Sequence, residues 1–177
     1  MSQAEGYILL MIQEHVRNGI LTPFFLFITT LGDVGFIWIV SALISLCFKK
    51  TRKTGIAVII ALCLSLLINN LILKNLIVRI RPYEVIEGLQ ILIPKQSDFS
   101  FPSGHTGSSF AAAVVFYRCQ GKKYGIAAII LAVLIAFSRL YIGVHYPTDV
   151  LAGMITGIAI GYFVSKFYFS FAKCVKV

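Results

Sequence analysis

Residues 55–77 read GIAVIIALCLSLLINNLILKNLI, and no charge interrupts them before Lys74. A helix that crosses a bilayer needs about 20 predominantly apolar residues, so this stretch alone predicts one crossing. Four further runs meet the same standard: 29–48, 103–120, 124–142 and 147–169. The first of these is broken near its start by Gly32-Asp33, which leaves its boundary soft. The whole chain is 58% hydrophobic with a mean hydropathy of +0.88, and only 13% of its residues are charged. Soluble domains carry about 25% charged residues, which excludes an ordinary soluble protein. The expected fold is all-α: a polytopic membrane helix bundle of about five long transmembrane helices. With 177 residues the chain forms one integral-membrane domain, 1–177.

Ahead of the bundle, Tyr7, Ile8, Met11 and Ile12 lie on one face of a helix over Gly6 to Arg17, the pattern of an interfacial helix. Residues 20–31 are too short to cross alone and are expected to dip into the membrane edge. The N-terminal segment 1–28 is therefore interfacial or re-entrant, and 29–177 is the transmembrane bundle. Met1-Ser2-Gln3-Ala4-Glu5 has no basic n-region, so no cleavable signal peptide is expected. Cys47, Cys63, Cys119 and Cys174 lack C-x-x-C spacing and histidine partners. They read as small apolar residues, not as a zinc site or a disulfide framework.

The charges divide by side. Five crossings put Lys49, Lys50, Arg52, Lys53, Arg118, Lys122, Lys123, Lys166, Lys173 and Lys176 on one side, with no acidic residue among them. Arg17, Lys74, Arg79, Arg81, Lys95 and Arg139 fall on the other, together with every acidic residue: Glu5, Glu14, Asp33, Glu84, Glu87, Asp98 and Asp149. Basic loops stay in the cytoplasm. The expected protein is thus a multi-pass cell-membrane protein with a cytoplasmic C-terminus. Its net charge of +9 reflects that topology and not a nucleic-acid surface.

Three short strings fall on the outward side: Lys74 with Arg81-Pro82, then Pro102-Ser103-Gly104-His105, then Ser138-Arg139 with His145 and Asp149. Lys74 and Arg81 are seven apart, two helical turns, and share a face if the helix continues that far. Alone, Lys74 reads equally well as a lysine snorkelling to the interface; the other strings decide for a site. Ser103 is positioned to cap a helix, Gly104 lets the backbone approach a ligand, and free N–H groups at a helix start bind anions. Asp149, in the first turn after Pro147, is placed to accept a hydrogen bond from His145 and so fix its tautomer. Of three histidines, only His15 lies outside these strings, and it reads as structural. Gly153, Gly157 and Gly161 form a small-residue packing face. Asn69 and Asn70 fit either a site lining or interhelical hydrogen bonds. Leu89, Ile91, Leu92 and Ile93 make the outer loop a candidate membrane-resting gate.

The eleven residues of K-x6-R-P, P-S-G-H and S-R-x5-H-x3-D resemble the type 2 phosphatidic acid phosphatase superfamily, the lipid phosphate phosphatases. The motifs run from Lys74 to Asp149 without a substitution. The resemblance implies a two-step mechanism with His145 as nucleophile, oriented by Asp149, and His105 as the acid and then the base. Lys74, Arg81, Ser103, Gly104 and Arg139 would hold the phosphoryl oxygens. No cofactor and no metal is implied, since fixed cations do the work a metal ion does elsewhere and no second carboxylate cluster is visible. The partner is a membrane lipid phosphate within the bilayer, with undecaprenyl pyrophosphate the leading substrate. Phosphatidylglycerol phosphate, phosphatidic acid and lipid A phosphates are the alternatives, as is phosphotransfer to a lipid acceptor. A silent lipid-binding member is disfavoured because His105, His145 and Asp149 are all present. Vanadate-dependent haloperoxidases share the phosphate-binding pattern but are soluble.

Overall fold

The computed structural model describes residues 3–174, with side chains through Tyr168. Lys173, Lys176 and the thiol of Cys174 lie outside the described side chains. Among the described residues the structure is helical, without strands. Helix α1 (Gln3–Met11) runs into a π-helical turn, Ile12–Val16; α2 (Leu21–Gly32) and α3 (Phe36–Cys47) follow. Next come α4 (Arg52–Ser65), a π-helical stretch Leu66–Leu73 and the short α5 (Lys74–Ile77). The bundle closes with α6 (Gly104–Cys119), α7 (Lys122–Tyr141) and α8 (Pro147–Cys174).

Among the described residues, four helical runs are long and apolar enough to cross a membrane: Leu21–Cys47, Arg52–Glu84, Lys122–Tyr141 and Pro147–Tyr168. The fifth expected crossing, 103–120, is α6, whose 16 residues reach about 24 Å. It needs little lipid-facing apolarity because α4, α7 and α8 pack around it. Phe110, Ala111, Ala112, Ala113, Val115 and Phe116 are all buried along it. Trp38 Nε1 donates to Ser109 Oγ at 2.9 Å, which fastens α3 to this central helix. Phe27, Leu43, Leu71, Ile130, Val133 and Ile155 remain exposed on the outside of the bundle. A soluble protein does not present so large an apolar surface to water; a bilayer accepts it.

The glycine stripe on α8 is structural, as expected. A Cβ at Gly153, Gly157 or Gly161 would lie 2.6, 2.4 or 2.6 Å from the carbonyl oxygens of Ser103, Gly107 and Ala111. The two backbones touch because nothing stands between them.

Three expectations need correction. The first run long and apolar enough to cross begins at Leu21, not residue 29, because residues 21–32 are helical and pass through a kink into α3. The kink carries two successive left-handed residues, Val34 (φ 53°) and Gly35 (φ 74°). It is the Gly32-Asp33 interruption, and it turns Asp33 toward the bundle. On α1 the face of Tyr7 and Ile8 is exposed, while Glu5, Leu9 and Ile12 are buried against the protein. Arg17 pins the end of this segment, donating to the carbonyls of Tyr141 at 2.9 Å and Gln90 at 2.7 Å. The loop run Leu89–Ile93 also turns inward: Leu89 is buried against Leu9 and Tyr146, and Ile91, Leu92 and Ile93 pack on Tyr141, Ile142 and Val144. An apolar run beside an unfilled protein surface buries itself there first.

The motif-bearing ends of α5, α6, α7 and α8 gather at one end of the bundle with α1. The basic turn 48–51 and the junction 120–121 meet at the other, where Gln120 Nε2 lies 3.3 Å from Ser45 Oγ.

Candidate active site

The helix carrying Lys74 does not continue to Arg81. It ends at Ile77, Val78 turns left-handed (φ 49°), and Arg81 is extended ahead of Pro82 (φ −73°, ψ 150°). The two cations converge nonetheless, brought together by the chain reversal and not by helical register. Both hold the carboxylate of Asp98: Arg81 Nη2 at 2.5 Å from Oδ1, and Lys74 Nζ on Oδ2. Arg81 is further fixed by the carbonyls of Val144 at 2.9 Å and Asp98 at 2.8 Å. Burial alone would raise the carboxyl of Asp98, but Lys74 and Arg81 hold it down at about 2.

Helix α6 opens at the same place. Ser103 is its N-cap, with its hydroxyl facing the N–H of Thr106 at 3.5 Å and the Thr106 hydroxyl at 3.0 Å. Ser103 is wholly buried and does not line the cavity described below, whereas Gly104 and His105 do. Gly104 is required by close approach: a Cβ there would lie 2.7 Å from Asn70 Oδ1. The two asparagines thus divide. Asn70 lines the cavity, and Asn69 is a buried tie, donating to Ser65 Oγ at 3.0 Å and accepting from Thr156 Oγ1 at 2.8 Å. The π-helical turns that carry them widen the helix beside the cavity, a common local feature at functional sites. His105 Nε2 lies 2.9 Å from Asp33 Oδ1 at the α2–α3 kink.

Arg139, in the last turn of α7, donates from Nη1 to Thr29 Oγ1 at 2.7 Å. Its Nε is buried with no partner among the described residues. His145 follows in the turn before α8, itself buried. Its Nδ1 lies 3.5 Å from Asp149 Oδ2, past hydrogen-bond range, and has no other partner there. The hydrogen bond expected from the spacing is not formed at this distance. Burial pushes the His145 imidazole down to about 3; Asp149 opposes this, and Arg81 and Arg139 add to it. The ring is therefore neutral, the form that can attack.

Asp149 is held by three donors. Ser100 Oγ at 2.5 Å and the Tyr146 N–H at 2.8 Å reach Oδ2, and Arg79 Nη1 at 2.6 Å reaches Oδ1. Arg79 stacks over the Tyr146 ring, 3.9 Å from its centroid, and bonds Glu5 Oε2 at 2.7 Å. Glu5 also accepts from the Thr148 hydroxyl at 2.5 Å. Burial alone would raise Glu5, but Thr148 and Arg79 together hold it below its ordinary value. A chain of contacts thus runs from α1 to the carboxylate behind His145.

Lys74, Arg81, His105, Arg139 and His145 line one end of a cavity of about 550 Å³. The other end descends between α3 and α4 past Ile39, Ile59, Leu62 and Leu66. His15 is exposed and takes no part.

Residues 54–173 match the PAP2 superfamily. The chain belongs to this family. An undecaprenyl-diphosphatase of Sulfolobus acidocaldarius is 36% identical over 122 residues, covering 69% of this chain and 59% of that protein. Undecaprenyl-diphosphatase BcrC of Bacillus subtilis is 32% identical over 155 residues, covering 85% of this chain and 77% of its own length. Among solved structures, the PAP2-type phosphatidylglycerolphosphate phosphatase of Bacillus subtilis superposes with a TM-score of 0.77 at 27% identity, over 98% of this chain and 86% of that one. The membrane-embedded helical bundle is thus a PAP2 bundle.

Within this PAP2 chain, sequence reasoning missed Glu5, Asp33, Arg79, Asp98 and Ser100. One signal was available for four of them: charged residues in or beside apolar spans are costly and usually functional. Of the seven acidic residues, Glu5, Asp33, Asp98 and Asp149 all sit in or directly behind the cavity.

Proposed function

We propose that the chain is a membrane lipid phosphatase that hydrolyses a terminal phosphomonoester or pyrophosphate headgroup through a phosphohistidine at the extracytoplasmic face. One observation carries the reading: the cavity has two chemically opposite ends. Three cations and two histidines crowd one end, and apolar side chains line the other. Ile39 and Leu66 on that apolar flank are exposed on the bundle's outer surface, so a hydrocarbon chain has a route in from the bilayer. A phosphate on a long lipid fits both ends at once.

In the first step His145 attacks phosphorus, a P–N bond forms, and the bond to the lipid oxygen breaks as His105 gives that oxygen a proton. In the second step His105 takes a proton from water, the resulting hydroxide displaces His145, and inorganic phosphate leaves. Lys74, Arg81 and Arg139 stabilise the charge on the phosphoryl oxygens. Gly104 contributes its backbone approach at the head of α6. Ser103 takes part by capping that helix.

We assign undecaprenyl pyrophosphate, converted to undecaprenyl phosphate, as the substrate. The relatives named for that reaction support this choice. The extended superposition on a phosphatidylglycerolphosphate phosphatase supports a glycerophospholipid substrate as the second reading. Phosphate release by the purified protein in excess EDTA decides between them. We expect full activity in chelator and a clear preference for undecaprenyl pyrophosphate over phosphatidylglycerol phosphate and phosphatidic acid. Equal or better turnover of the glycerolipids would move the protein to phospholipid metabolism, and loss of activity in EDTA would overturn metal independence.

The outward orientation rests on the basic turn residues Lys49, Lys50, Arg52 and Lys53, all exposed at the end opposite the site. In intact cells, a cysteine introduced at Thr51 should resist a membrane-impermeant thiol reagent while one at Gln96 reacts. The reverse pattern would invert the topology.

A further inference from the structure

The phosphate end of the cavity already holds an anion. Asp98 reaches in from the loop between Glu84 and Gly104 and sets both carboxylate oxygens on the cations assigned to phosphate. The partners are unequal. Lys74 and Arg81 are 5% and 4% exposed, whereas the side chain of Asp98 is 48% exposed. Arg81 is also tied to two backbone carbonyls, one of them that of Asp98 itself. The loop is therefore anchored through its backbone, and the carboxylate can leave by side-chain rotation alone. Nor does it satisfy the whole set, because the buried Nε of Arg139 beside it has no partner among the described residues.

From this geometry we infer that Asp98 sets the threshold for anion binding at the site: its carboxylate is a resident anion that an incoming phosphate must displace, and it thereby keeps weakly held monoanionic phosphodiesters out of the site. The inference rests on reading the cavity as a terminal-phosphate site. A phosphodiester carries one negative charge on two free oxygens, as a carboxylate does, so its exchange for Asp98 gains nothing. A terminal phosphate carries about −1.5 to −2 at neutral pH on three oxygens. It can take Lys74 and Arg81 and also the guanidinium of Arg139, which lines the same cavity. The distinction matters because a bilayer presents phosphodiester headgroups to this cavity at high local concentration. Displacing a resident group weakens every anion by the same factor. The weak competitor is thereby pushed out of its binding range, and the strong ligand is not.

The test compares wild type with Asp98→Asn, both full chains in zwitterionic detergent micelles, with inorganic phosphate and dimethyl phosphate as inhibitors of lipid phosphate turnover. In the wild type, phosphate should inhibit and dimethyl phosphate should not. In Asp98→Asn, the inhibition constants of both should fall by roughly tenfold or more, within the roughly 5–150-fold range of ordinary coupling between ligands. KM should fall with them, and phosphatidylglycerol added to the micelles should begin to inhibit. Constants that stay the same or rise would overturn the proposal, because a residue that merely holds the cations in place gives a loss on removal and never a gain. Should the asparagine variant not fold, Asp98→Ser is read in the same way. Lys74→Met separates the two levels of the reading. If Lys74→Met has the wild-type inhibition constant for phosphate, the phosphate site itself is misassigned, whatever Asp98 does.

Discussion

Replacing His145 by alanine is expected to reduce turnover by four orders of magnitude or more, the usual scale for loss of a nucleophile that works as a unit with its neighbours. The geometry makes the loss hard to circumvent. His145 is buried at the cationic end of the cavity, and His105 stands on a different helix with its Nε2 engaged by Asp33 at 2.9 Å. No third histidine reaches the cavity, since His15 is exposed on the N-terminal segment. Burial and the neighbouring guanidinium groups keep the His145 ring neutral, its pKa depressed to about 3. A depressed value means the nucleophilic form is present at every pH above that point. Any loss of activity between pH 7 and pH 5 must therefore come from another group. Two measurements check the prediction. Rapid quenching of the wild type with phosphorus-labelled substrate should trap an acid-labile, base-stable phosphoenzyme, and His145→Ala should give none. Substantial residual turnover, or a labelled alanine variant, would remove His145 from the nucleophile's role.

Much of the clustering at this candidate site was legible in the sequence because its residues sit at fixed spacings within single elements. Gly104 and His105 lie at the head of α6, and Arg139, His145 and Asp149 bracket one short turn. Local geometry places such residues whatever the rest of the bundle does. The pairing of Lys74 with Arg81 was foreseen for the wrong reason, since helical register does not survive past Ile77. What brings them together is Asp98, 17 residues on from Arg81, and no periodicity encodes a contact of that kind. The same holds for Asp33 with His105 and Glu5 with Arg79, separated by 72 and 74 residues. Four of the five expected crossings are runs long and apolar enough to span a membrane. The central position of α6 was not legible, because its small and polar residues lower the hydropathy that a lipid-facing helix needs. The inward turn of Leu89–Ile93 was likewise out of reach: an apolar loop run shows that it will be buried, not against what.

Asp149→Asn is the second large effect, an expected fall of roughly 10³–10⁴-fold, the scale seen when a carboxylate that orients a catalytic histidine becomes an amide. In the proposed mechanism Asp149 acts through His145, which makes it a positioning residue. Its carboxylate accepts from Ser100, the Tyr146 N–H and Arg79, and its Oδ2 stands 3.5 Å from His145 Nδ1. Closing that gap on substrate binding would put the ring proton on Nδ1 and leave the Nε2 lone pair free for phosphorus. An amide in the same place can donate to Nδ1, which moves the proton to Nε2 and silences the nucleophile. The amide also loses charge against Arg79, but Arg79 keeps Glu5 at 2.7 Å and Tyr146 beneath it, so the fold should survive. A structural lesion and a tautomer lesion are told apart by phosphate binding. Lys74, Arg81 and Arg139 are untouched by the substitution, so the inhibition constant for inorganic phosphate should hold within about threefold while kcat collapses and phosphoenzyme formation slows in step. If phosphate inhibition weakens in parallel with kcat, Asp149 supports the shape of the site and does not orient His145.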